Sequence, residues 1–102
     1  MINDKIEKQL DEDQIILYMK GDPSMPMCGF SAKVIDILQQ YDINFKTYNI
    51  LMDEELRQGL KDYSQWPTFP QLYINKELIG GCDIIVEMHE KGELEEILKN
   101  HH

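Results

Sequence analysis

The stretch Gln14-Ile-Ile-Leu-Tyr-Met-Lys-Gly-Asp-Pro-Ser-Met-Pro-Met-Cys-Gly-Phe-Ser31 changes character twice along its length. Gln14–Met19 is a compact apolar run of strand length, stopped by Gly21 and Pro23. A loop continues through Pro26. From Gly29 on, Phe30, Val34, Ile37, Leu38 and Tyr41 recur on one face at helical spacing, which predicts a helix from Gly29 to about Tyr41. This strand–loop–helix order puts Cys28 where the loop enters the helix.

Outward from that unit, Ile2, Ile6 and Leu10 predict a short first helix. Phe45–Asn49 alternates like a strand. Asp53 is placed to cap a helix through Tyr63, with Glu54 and Glu55 favourable in its first turn. Trp66-Pro-Thr-Phe-Pro70 cannot be helical with prolines so spaced. Gln71–Ile74 and Glu77–Ile79 flank Asn75-Lys76 as a hairpin. Gly80-Gly81-Cys82 reads as a tight turn, after which Asp83 caps a helix ending at Gly92, a natural residue for the position after a helix C-cap. Glu93–Asn100 forms a last short helix. The order predicts an α/β fold with a central mixed sheet, helices on both faces, and the first two strands parallel through a right-handed crossover. Residues 1–100 are taken as one domain. His101-His102 reads as a tag remnant and is set aside.

Composition narrows the function classes. The 102 residues are 42% hydrophobic and 28% charged, with a net charge of −9 at pH 7. No apolar run approaches the roughly 20 residues of a spanning helix, so no membrane role is expected. A phosphate backbone would be repelled by most of this surface, which argues against nucleic-acid binding. The segment Met1-Ile-Asn-Asp-Lys-Ile-Glu7 shows neither a secretory nor an Arg-rich transit pattern, so a cytoplasmic location is expected; an organellar chain stripped of its leader reads the same.

The chain has two cysteines, Cys28 and Cys82, and no Cys-x-x-Cys. Two are too few for a disulfide scaffold; a link between the two, structural or regulatory, is the lesser alternative, and a reducing compartment would leave both as thiols. At a helix entrance, unpaired backbone N–H groups and the helix dipole favour an anion at Cys28, and Lys20 adds positive charge. Both lower a thiol's pKa from about 8.5 and favour the thiolate, the form that attacks disulfides and binds metals. The competing reading is a buried cysteine acting as a small hydrophobe. Its loop position, with Gly29 leaving the sulfur uncovered, favours the reactive one.

Cys28-Gly-Phe-Ser31, preceded by Met19-Lys-Gly21 and followed by Trp66-Pro-Thr-Phe-Pro-Gln71 and Gly80-Gly-Cys-Asp83, resembles the monothiol glutaredoxins of the Cys-Gly-Phe-Ser class. The resemblance runs from about Ile2 to Leu98. It implies a thioredoxin-like fold with a four-stranded mixed sheet, and binding of glutathione and a [2Fe–2S] cluster. On this likeness Cys28 is the catalytic thiol and cluster ligand. Lys20 and Arg57 anchor the glycyl carboxylate of glutathione. Phe69, before a cis Pro70, pairs its backbone with the cysteinyl unit, and Cys82 and Asp83 receive the γ-glutamyl end. Trp66 and Phe30 are read as packing residues. Asp22 stands where the family commonly has threonine, and its acid is expected to weaken thiolate activation slightly.

A [2Fe–2S] cluster generally takes four thiolates, and one protomer offers Cys28 and little else. Two protomers, each giving Cys28 and holding one glutathione, reach four. Ser31 cannot close a disulfide with Cys28, so dithiol reduction is excluded. The expectation is a cluster carrier, homodimeric when loaded, that delivers to iron–sulfur acceptor proteins. The alternative is a glutathione-dependent oxidoreductase that removes glutathione from mixed disulfides. A regulatory role beside a BolA-type partner comes with the family and has no residue of its own here.

Overall fold

Strand β1 (Ile15–Met19) is buried along its whole length. Its side chains alternate between two cores: Ile15, Leu17 and Met19 join one, while Ile16 and Tyr18 join the other. A strand covered on both faces reads as an unbroken apolar run, which is why the stretch shows no period-two polarity. The computed structural model describes residues 1–100; the tag remnant expected at His101-His102 lies outside the described residues.

The chain runs α1 (Ile2–Leu10), β1, a small hairpin of β2 (Gly21–Asp22) and β3 (Met25–Pro26), α2 (Gly29–Leu38), β4 (Lys46–Asn49), a 3-10 turn (Ile50–Met52), α3 (Glu54–Ser64), β5 (Gln71–Ile74), β6 (Glu77–Gly80), α4 (Cys82–Glu90) and α5 (Glu93–Asn100). The main sheet has the order β4-β1-β5-β6. β4 runs parallel to β1, pairing Ile16 with Lys46 and Met19 with Asn49. β5 and β6 pair antiparallel, with a bulge between Leu72 and Tyr73. Residues of α2, α4 and α5 fill the first core, including Val34, Ile85 and Leu94. Residues of α1 and α3 fill the second, including Ile6, Leu56 and Leu60. The mixed four-stranded sheet between helical layers is the expected architecture. Among the described residues no helix is long and apolar enough to cross a membrane.

Several local expectations are corrected. Helix α2 ends at Leu38, capped by Gln39, so Tyr41 lies beyond it, and its hydroxyl meets His89 Nδ1 at 2.6 Å. Phe30 is 62% exposed rather than packed. Ser31, its neighbour in the same turn, is fully buried and accepts the Lys20 N–H at the end of β1, so this turn is buried at Ser31 while Phe30 lies on its exposed side and lines the groove. Gly81, not Asp83, is the N-cap of α4, without a side-chain bond. A Cβ on Gly81 would lie 3.2 Å from Trp66 Nε1 and 3.3 Å from the Pro70 carbonyl oxygen, so the chain enters the helix through a residue without a side chain.

The cap of α3 is as expected: Asp53 accepts the Leu56 N–H at 3.0 Å. Its other oxygen receives Lys5 Nζ at 2.5 Å, tying α1 to α3. Gly59 lets the same two helices close, since a Cβ there would stand 2.5 Å from Ile2 Cγ1. Asp53→Ala should lower stability by about 0.5–2 kcal/mol, read by urea unfolding near neutral pH. The Lys5 ammonium and the Leu56 N–H hold the Asp53 carboxyl below its ordinary range. The difference between the two proteins should thus be complete above about pH 4, the unfolded value, and shrink as pH falls through the depressed one.

Candidate functional site

At the end of β1 the chain is pinned at both groups of Lys20. Its N–H donates to Ser31 Oγ at 3.1 Å, and its carbonyl accepts the Met27 N–H at 2.8 Å. Gly21, at φ +88°, takes the turn, and its N–H donates to Asn49 Oδ1 at 3.0 Å. Asp22 closes the hairpin, with Oδ1 accepting from the N–H groups of Ser24 and Met25 at 2.9 and 2.8 Å. The acid expected to oppose the thiolate thus has a task of its own in the turn. These contacts deliver Cys28 to the N-cap of α2 in extended conformation.

There the Ser31 N–H pulls the Cys28 thiol below its ordinary pKa, against partial burial, with further help from the Phe30 N–H, the Lys20 charge and the Ser31 hydroxyl. A Cβ on Gly29 would meet nothing within 4 Å, so the chain beside the sulfur is open. Cys82 goes the other way: burial pushes its thiol up, and the neighbouring Asp83 and Cys28 push it further, outweighing Lys33. Both cysteines are free and half-buried. The two thiols are both half-buried and are shifted in opposite directions, which favours Cys28 over Cys82 as the thiolate.

A groove of about 400 Å³ lies alongside, walled by Lys20, Phe30, Arg57, Lys61, Trp66, Pro67, Thr68, Phe69, Gly81, Cys82, Asp83 and Ile84. Five of the six sequence-predicted site residues, Lys20, Arg57, Phe69, Cys82 and Asp83, line it. Cys28 does not; its neighbours Lys20 and Phe30 do. The Phe69–Pro70 peptide is cis, as expected, and Phe69 is buried at 6% exposure. Trp66 is half-buried in the wall, with an indole Nε1 that is buried and unpaired. Lys61 was missed by the sequence reading, although it stands four residues after Arg57 on α3, the spacing that places two side chains on one helix face.

Three cations and one carboxylate, Asp83, line the groove of a protein whose net charge is −9. Arg57 is not idle: its Nε and Nη2 hold Glu54 at 3.0 and 2.8 Å. Asp83 lies in the first turn of α4, near the positive end of that helix. The groove therefore matches an elongated ligand carrying carboxylates, and Asp83 matches an ammonium.

Fold and site together define a thioredoxin-like protein with one activated thiol at a helix entrance. A glutaredoxin family model matches residues 15–79. Monothiol glutaredoxin-S11 of Oryza sativa is 48% identical over 100 residues, covering 98% of this chain and 20% of that protein. Glutaredoxin 4 of Haemophilus ducreyi is 50% identical over 96 residues, covering 94% and 90%. The solution structure of reduced apo GrxS14 from poplar superposes with a TM-score of 0.85 at 47% identity, over 98% of this chain and 92% of that one. The chain belongs to the glutaredoxin family, in its monothiol branch. It spans a fifth of the length of the rice relative and of Monothiol glutaredoxin-S17 of Arabidopsis thaliana.

The opposite shifts predict selective chemistry. Iodoacetamide near neutral pH should alkylate Cys28 well before Cys82, with a rate–pH midpoint below about 8.5, the ordinary thiol value. Ser31→Ala should move that midpoint up, because one donor to the thiolate is lost. Equal rates at the two cysteines, read by mass spectrometry of the peptides, would contradict the assignment.

Proposed function

We propose that this monothiol glutaredoxin binds glutathione in the cationic groove and carries a [2Fe–2S] cluster, shared with a second copy, to acceptor proteins. The observation that carries the reading is a single activated thiol with serine, not cysteine, three residues on. Among the described residues no group of three or more His, Cys, Asp or Glu could hold a metal. Cluster cargo with four thiolate ligands therefore calls for thiols from outside the chain. Two copies of Cys28 and two glutathione thiolates meet that number. Lys20, Arg57 and Lys61 would hold the tripeptide's carboxylates, the Phe69 backbone its centre, and Asp83 with the Cys82 backbone its amino end. Ligands held without covalent bonds are lost by mass action, which suits cargo meant to be passed on. In this reading the protein works in a reducing cytoplasm, with a BolA-type protein as the regulatory partner that the family brings.

The depressed Cys28 thiol also favours the alternative. Its thiolate would attack the glutathionyl sulfur of a protein mixed disulfide, and the protein thiolate would leave. With no thiol at Ser31 to resolve it, a second glutathione thiolate would attack Cys28-bound glutathione and release oxidised glutathione. Anaerobic reconstitution separates the readings: glutathione-dependent visible colour supports the carrier, and fast turnover of a glutathionylated substrate without cluster uptake supports the enzyme. Cys28→Ser should abolish both while leaving stability within roughly 0.5 kcal/mol.

Lys20→Ala and Arg57→Ala should each weaken glutathione binding about 10- to 100-fold, the worth of a charge-assisted contact. Arg57→Ala should fall at the lower end, since Glu54 already takes part of its charge. Both losses should shrink as salt rises, and calorimetry showing unchanged affinity in both would make these cations mere surface residues. Apo protein should be monomeric, and cluster with glutathione should make it dimeric; an equally stable dimer without either, by light scattering, would overturn the shared-cluster assembly.

A further inference from the structure

Beside the thiol, apolar side chains are exposed in a group rather than singly. Met25, Met27, Leu51 and Met52 are 66%, 61%, 51% and 82% exposed. Two contacts bring them together. A Cβ on Gly21 would lie 2.7 Å from Met27 Cγ and 2.4 Å from the Met25 carbonyl oxygen, so β3 and the Met27 side chain lie directly over Gly21. Asn49 Oδ1 accepts the Gly21 N–H and the Leu51 N–H, both at 3.0 Å. One side-chain oxygen thus holds the β2–β3 hairpin against the turn that carries Leu51 and Met52. Cys28 directly follows Met27, so the patch adjoins the thiol.

The charges around the patch have a sign. Asp22 on the hairpin and Glu54 and Glu55 in the first turn of α3 are exposed carboxylates; Glu54 is partly offset by Arg57, and Lys20 is the cation acting on the Cys28 side. The whole chain adds a net charge of −9. Methionine is unbranched and polarizable, and surfaces rich in it adapt to several partners. An apolar patch rimmed by acids marks an interaction site for a complementary surface.

We propose that Met25, Met27, Leu51 and Met52 form the docking surface for the protein that exchanges with Cys28, and that this partner presents a basic, apolar-faced segment there. The proposal rests on Cys28 being the exchange centre and adds which partners reach it. A protein bringing its own sulfur to Cys28 must cover residues next to it in sequence, and the acid rim speeds the approach of a basic face.

The test uses apo protein and a helical peptide of leucine and lysine with one cysteine, activated as its mixed disulfide with thionitrobenzoate. The Cys28 thiolate attacks the peptide sulfur, the old S–S bond breaks, thionitrobenzoate leaves with the electron pair, and a new S–S bond joins peptide to protein. One disulfide replaces another, so no outside oxidant is needed. Peptide mapping confirms attachment at Cys28. The basic peptide should react about tenfold or more faster than its scrambled form or a leucine–glutamate analogue, and the advantage should fall with salt. Replacing Met25, Met27 and Met52 together by Gln should remove that preference, and Met52→Gln alone should reduce it. Reaction with the small reagent dithiobis(nitrobenzoate) should stay unchanged in both variants, which also shows that the thiol remains intact. Equal rates for all three peptides, or an unchanged preference in the triple variant, would overturn the proposal. So would an apo self-association that the triple variant abolishes, since the patch would then meet a second copy. The assay needs no cluster, so it can fail while reconstitution still loads cluster, and loading can fail while the peptide preference stands.

Discussion

Burial of β1 on both faces is the constraint from which the site follows. Neither side of Ile15–Met19 is left for solvent, so the strand must be sandwiched and the chain must leave the sheet at Lys20. Two hydrogen bonds at Lys20 and one from Gly21 fix how it leaves. Ser31 has a double part here. Its buried Oγ receives the Lys20 N–H, while its own N–H and hydroxyl favour the Cys28 thiolate. The bond that closes the fold at this corner therefore also sets the chemistry of the sulfur beside it.

The two cysteines show how little separates a thiol favoured as the thiolate from one that is not. Each opens a helix, Cys28 as the N-cap of α2 and Cys82 as the first residue of α4. Cys28 receives N–H groups and faces Lys20. Cys82 is more strongly governed by burial and lies beside Asp83. A helix start alone does not activate sulfur; the donors must point at it and the nearby charge must be positive.

The mixed sheet with its first two strands parallel, the two helical layers, the Asp53 cap and the hairpin around Asn75-Lys76 were legible because each rests on pattern along the chain. The burial of β1, the φ of 51° and 69° at Asn75 and Lys76, and the oxygen of Asp53 on Leu56 are all consequences of short stretches of sequence. What escaped depends on where an element sits. Phe30 has core spacing, yet it lies on the exposed side of a turn whose buried residue is Ser31. Asp83 is a good capping residue, yet the approach of Trp66 and Pro70 to Gly81 moves the helix start upstream. Lys61 joins Lys20 only once α3 is packed beside the end of β1, a contact between segments some forty residues apart. The β2–β3 hairpin escaped because Gly21 and Asp22 pair with Pro26 and Met25 in strands of two residues each, too short for any periodicity.

Charge in the groove is arranged against the charge of the whole. At −9 the protein repels an anionic ligand at long range, but salt screens that field beyond roughly 8–10 Å, so what such a ligand would meet is the local set of groups. Within that set Arg57 differs from the lysines. Arg57 holds the Glu54 carboxyl well below the usual carboxylate range, so both partners are charged at neutral pH. In the proposed binding Arg57 would meet a carboxylate with much of its charge already balanced, and its value would lie in direction. With Nε and Nη2 committed to Glu54, the guanidinium is fixed in its plane and Nη1 remains outside that clamp. In the proposed glutathione binding, Lys20 and Lys61, as compact charges on mobile stems, would supply the attraction, and the clamped arginine would supply the geometry.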